Sequence, residues 1–131
     1  MHKILQPDGW AAPRGYSNGM SATGRFVFVS GQVGWNAQCA FETDDLIQQI
    51  RLALENVVAV LAAGDARPEH VVSLTWYFTD KAEYVARSKE VGEVYRAVMG
   101  KHYPAMTAVE VSSMIEPRAK VEIQAVAVVP A

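Results

Sequence analysis

The strongest constraint on this chain is a long helical period set among short β-runs. From about Asp44 to Ala63, apolar residues recur every three or four positions, at Leu46, Ile47, Ile50, Leu54, Val57, Val58 and Leu61. That spacing places one stripe on one helix face. Thr43 stands where an N-cap belongs, Asp44 and Asp45 suit the positive end of the dipole, and Gly64 suits the position past the last turn. A second helix is predicted from Asp80, with Glu83 completing an Asp-x-x-Glu capping box, to Gly100, burying Tyr84, Val91, Val94, Tyr95 and Val98.

Around these helices lie β-branched and aromatic runs at Arg25–Ser30, Val71–Thr79, Thr107–Val111 and Ala119–Val129, with weaker ones at Lys3–Leu5 and Tyr16–Ala22. Gly24 reads as the turn of a hairpin joining Tyr16–Ala22 to Arg25–Ser30. The order β-β-β-α-β-α-β-β predicts an α+β fold, a mixed sheet with both helices on one face, in a single domain over residues 1–131. In the last run Val121, Ile123, Ala125 and Ala127 point toward the helices. Lys120, Glu122, Gln124, Val126 and Val128 point away, and a second copy of the chain is expected to cover Val126, Val128 and Ala108.

Composition narrows the function. Among 131 residues, 12 are Lys or Arg and 14 are Asp or Glu, for a formal net charge of −2. The cations are scattered, which speaks against nucleic-acid binding. The lone cysteine, Cys39, forms no disulfide framework and has no basic neighbour to make it a thiolate. His2, His70 and His102 lack metal-ligand spacing, and Ser30 has no Gly-x-Ser-x-Gly setting. No run of about 18 apolar residues suggests a membrane span, and the start of the chain has no signal-peptide core, so the expected location is the cytoplasm.

The carboxylate inside Val121-Glu122-Ile123 is the residue with the clearest chemical promise, because a charge in a β-run needs a partner, a ligand or water. It could handle protons, or it could pair with Lys120 or with a neighbouring chain. Tyr16, after Arg14-Gly15, could offer its hydroxyl to a ligand or pack at a strand start. Met106 could line an apolar pocket with Trp35 and Trp76 nearby, or fill a gap in the core.

Several stretches, in order over nearly the whole chain, resemble the RidA/YjgF family, also called the endoribonuclease L-PSP family. They are Gly15-Tyr16-Ser17, Val27-Phe-Val-Ser-Gly-Gln32, Leu54-Glu-Asn-Val57, Tyr103-Pro104-Ala105, Val109-Glu-Val111 and Val121-Glu-Ile123. The resemblance implies a chorismate-mutase-like protomer and a homotrimer with a central β-barrel and pockets at the subunit interfaces. It implies hydrolysis of enamines and imines such as 2-aminoacrylate to a keto acid and ammonia, with no cofactor. The family's substrate-binding arginine falls at Met106, its nearby cysteine at Ala108 and its second-helix asparagine at Gly92. Tyr16, Ser30, Gly31 and Glu122 keep their matching positions, so the chain resembles an arginine-lacking branch acting on a different imine. Arg14 is a candidate replacement cation, or else a solvated loop arginine. A non-catalytic trimer that binds a small molecule is the alternative.

Overall fold

The computed structural model describes residues 2–131. Its ten elements are β1 (Lys3–Leu5), β2 (Gly19–Ser21), β3 (Gly24–Val33), α1 (Leu46–Ala63), a 3-10 turn (Pro68–His70), β4 (Val71–Phe78), α2 (Lys81–Ala86), α3 (Ser88–Met99), β5 (Ala105–Glu110) and β6 (Val121–Pro130). The main sheet runs β3-β6-β4-β5. β6 is antiparallel to both β3 and β4, while β5 is parallel to β4. A parallel neighbour needs a crossover, and α2 with α3 supplies it between β4 and β5. α1 makes the other crossover and packs on β3, β6 and α3.

The core forms where the helix stripe meets the alternate residues of the strands. Ile50, Leu54, Val57 and Leu61 of α1 are buried against Leu74, Trp76, Val121, Ile123 and Ala125. α1 has the length and apolarity of a membrane span, contrary to the expectation that no such segment exists. It carries Arg51 and Glu55, and its apolar stripe is spent on the sheet rather than on lipid.

The helix ends differ from the sequence reading. Asp45, not Thr43, caps α1: its carboxylate accepts from the Gln48 N–H at 3.0 Å, while Thr43 Oγ1 accepts from the Asp45 N–H. At the other end Gly64 keeps a negative φ, and Asp65 takes the left-handed conformation at φ 53°. The predicted second helix is two. Arg87 closes α2 and opens α3, and its guanidinium binds Asp45, Glu83 and Glu90. Asp80 does cap α2 through the Glu83 N–H, but the Glu83 carboxylate turns to Arg87, so the box stays open.

Two strand expectations also change. β2 pairs with β1 in a separate two-stranded sheet, so Gly24 turns no hairpin. Gly24 sits instead at the first pair of β3 with β6, where any Cβ would collide with the Val129 carbonyl. Val128 is buried, 2% exposed. The apolar surface on that open face includes Phe26 and Phe28, 56% and 72% exposed, with ring centroids 6.0 Å apart.

Candidate functional site

Met106, second in β5, lies opposite Leu74 of β4, a core residue, and so on the helix-covered side of the sheet. Between it and α3 lies a cleft of about 280 Å³ bordered by Arg14, Trp76, Tyr84, Tyr95, Arg96 and Met106. A second hollow of about 270 Å³ continues past Arg14, Gly15 and Tyr16 to Ala108. The distant Arg14–Ser17 segment reaches this place because it is bonded to the approach of β5. The Ser17 N–H donates to the Pro104 carbonyl at 3.0 Å, the Ser17 hydroxyl donates to the Tyr103 carbonyl, and Ser17 bridges Ala105 in parallel. Gly15, at φ 76°, makes the reversal that carries both Arg14 and Tyr16 to this edge.

The wall is aromatic. Tyr95 stacks on Tyr103 at 5.6 Å and donates its hydroxyl to the His102 carbonyl. Tyr84 stacks on Phe78 at 4.3 Å and meets Trp76 edge-on. Burial pushes both phenols up, Tyr95 further because Tyr103 lies beside it, so each stays protonated. Trp76, 2% exposed, forms part of the lining, and its Nε1–H has no hydrogen-bond partner among the described residues.

Glu122 stands elsewhere. It pairs in register with Tyr77 of β4, on the open face of the sheet, with Ile123 turned into the core. A shallow hollow of about 300 Å³ there is bordered by Tyr77, Val111, Met114, Glu122 and Gln124. The half-buried carboxylate makes neither an ion pair nor a hydrogen bond among the described residues, and the pairing with Lys120 does not form. Gly31 lies against it: a Cβ at that position would collide with Glu122 Oε2. A register shift between Val29 and Gln32 puts Ser30 and Gly31 at a bulge, and Gln32 Nε2 donates to both the carbonyl and the hydroxyl of Ser30 at 3.2 Å.

The predicted residues therefore fall into two groups. Arg14, Tyr16 and Met106 meet on the helix side of the β5 edge; Glu122 stands on the open face with Gly31 against it, and Ser30 precedes Gly31 in the bulge. The two cavities that hold Arg14 and Met106 include none of Ser30, Gly31 and Glu122 in their lining. Trp76 is beside Met106 as expected, but Trp35 is not and packs on Phe41 at 5.6 Å. His102 donates from Nε2 to the Val71 carbonyl, a structural contact, and Cys39 is exposed. No cluster of metal-ligating side chains occurs among the described residues.

Sequence reasoning missed Arg96 and Gln49. Nothing in the sequence sets Arg96 apart from the other scattered cations. Gln49 is fully buried, donating to the Thr43 and Arg118 carbonyls and accepting from the Lys120 N–H. It sets the start of β6 and so the height of Glu122.

Comparison with known proteins places the chain among close likenesses. A family model described as Endoribonuclease L-PSP matches residues 8–129. A RutC family protein of Pyrococcus horikoshii is 30% identical over 97% of this chain and 98% of its own length. An Escherichia coli protein bearing the name "Putative reactive intermediate deaminase TdcF" is 32% identical over 80% of each chain. Among solved structures, the Rid family protein YyfB of Yersinia pestis, described as of unknown function, superposes with TM-score 0.87 at 26% identity, covering 98% of each chain. E. coli TdcF with bound serine gives TM-score 0.70 at 30% identity, over 97% of this chain and 98% of that one.

Proposed function

The chain belongs to the endoribonuclease L-PSP (RidA/YjgF) family, and from that footing we propose that it is a hydrolytic deaminase of an enamine or imine other than 2-aminoacrylate. The observation that carries this reading is the Glu122 carboxylate, unpaired on the open face against Gly31, together with a thioether at Met106 where the family holds its arginine.

Glu122 serves as the proton-handling group. Water adds to the C=N carbon as Glu122 takes one of its protons and passes it to the nitrogen. The carbinolamine hydroxyl proton then follows the same route, the C–N bond breaks, and ammonia leaves while the carbon keeps the oxygen as a carbonyl. Main-chain groups at Ser30 and Gly31 and the Tyr16 hydroxyl orient the ligand. Met106 and Arg14 shape the opposite wall. Because the two groups of residues sit on opposite sides of the sheet in one protomer, a joint site needs a second copy, and a homotrimer with its pockets at the interfaces supplies one. The apolar pair Phe26 and Phe28 on the open face favours that assembly.

Ammonia release tests the reading. 2-Aminoacrylate generated in situ should give none above background, while a panel of bulkier and conjugated imines should contain at least one substrate. With that substrate Glu122→Gln should slow turnover by at least about a hundredfold. An active Glu122→Gln, or rapid turnover of 2-aminoacrylate, would overturn it. A non-catalytic binding trimer is favoured by one observation, the missing guanidinium at 106, and a panel with no substrate would select it.

A further inference from the structure

The cleft between β5 and α3 is lined with cationic donors and has no acid to answer them. Arg14 and Arg96 both border its roughly 280 Å³, and no carboxylate does. Among the described residues neither guanidinium forms an ion pair or a hydrogen bond. By contrast, Arg67, Arg87 and Arg118 have each found a carboxylate. Two like charges beside a small, partly enclosed space repel one another unless an anion lies between them.

Gly92 explains how Arg96 comes to be there. A Cβ built on Gly92 would stand 3.2 Å from Arg96 Nη1, so the guanidinium lies back along α3 over the glycine, where most side chains would crowd it. The rest of the lining suits a flat ligand. Tyr95 and Tyr103 are stacked with a 20° interplanar angle, and Tyr84 and Met106 add apolar surface. Trp76, also in the lining, holds a buried side-chain donor without a partner among the described residues, and an unmatched donor of this kind is destabilising. A ligand oxygen reaching that depth would give it an acceptor.

We propose that this cleft binds a planar dianion, an aromatic or conjugated dicarboxylate, with one acidic group on Arg96, the other on Arg14, and its body along the tyrosine wall. Guanidinium takes a carboxylate through two parallel N–H bonds, so each arginine specifies one acidic group. The proposal names the substrate class for the deaminase read above and rests on that reading for its chemistry, though not for binding.

Calorimetry on the intact protein, with isophthalate, benzoate, cyclohexanecarboxylate and serine as probes, tests it. Isophthalate should bind at least about tenfold more tightly than benzoate, because a charged hydrogen-bonded contact is worth roughly 1.5–3 kcal/mol. Cyclohexanecarboxylate should bind more weakly than benzoate, and serine more weakly still. Arg96→Ala and Arg14→Ala should each remove the advantage of isophthalate, with Arg96→Lys restoring part of it. Added salt should weaken isophthalate more than benzoate. Equal affinity for isophthalate and benzoate, or unchanged binding in Arg96→Ala, would overturn the proposal. Ammonia release keeps the two readings apart. Tight dicarboxylate binding with no imine hydrolysed would sink the deaminase and leave the cleft. Imine turnover unaffected by Arg96→Ala, with no dicarboxylate bound, would sink the cleft and leave the deaminase.

Discussion

A methyl group added at Gly31 would meet the Glu122 carboxylate, so the glycine decides where the acid can stand. Gly31→Ala should displace that carboxylate and lower imine turnover nearly as far as Glu122→Gln does. Its cost in stability should stay near the 1–3 kcal/mol of ordinary overpacking, read from a urea titration beside the activity assay. Gln49 works on the same strand from the other side. From a fully buried position it satisfies two carbonyls and one N–H. Gly34 packs against its backbone so closely that a Cβ would lie 2.6 Å from the Gln49 Cα. Gln49→Leu strands all three groups and should cost about 3 kcal/mol or more, seen as a lower urea midpoint at unchanged slope. Glu122 was legible in the sequence because a charge in an apolar run is conspicuous. Gln49 was not, since its partners lie 6 to 71 positions away.

At the scale of elements, Arg87 joins three pieces of the fold: the cap of α1, the end of α2 and the start of α3. Its hydrogen bond holds the Asp45 carboxyl below the ordinary value of 3.8, helped by the Gln48 N–H, and holds Glu90 below 4.5. Both carboxyls bind protons more weakly in the folded chain than in the unfolded one. Their contribution to stability is therefore complete above those ordinary values and lost as pH falls through the depressed ones. Arg87→Ala should flatten that acid limb in thermal melts taken from pH 6 to 2. His70 acts in a different window. Burial holds it below 6.5, and its Nδ1 accepts from the Arg67 N–H, which requires the neutral ring. Protonation is disfavoured in the folded state, so stability should fall as pH drops below 6.5, and His70→Asn should remove that step while leaving the acid limb intact. The sequence located every helix and main-sheet strand to within a few residues. It ran α2 and α3 together because the periodicity carries through Arg87, where the backbone leaves helical geometry and the ion pairs gather.

For the whole molecule, the open face of the sheet decides whether the two groups of site residues ever meet. Phe28 is 72% exposed, so Phe28→Glu leaves the core untouched and should leave the thermal melt of the isolated protomer nearly unchanged. It should nevertheless shift the sedimentation coefficient from an assembled species to a single chain and abolish imine turnover. A wild-type protein that sediments as a single chain would break the proposed interface site. By itself the sequence determined the fold class and family, because helical and strand periods and the order of short motifs are local patterns that need no coordinates to read. It also fixed which chemical groups are present and which guanidinium is missing. Only the tertiary structure decided how those groups are shared out: strand pairing turns Glu122 and Met106 to opposite faces of one sheet. Hydrogen bonds across 86 positions bring Arg14 to Arg96. Side-chain direction and long-range closeness are set by register and packing, and those are properties of the folded chain.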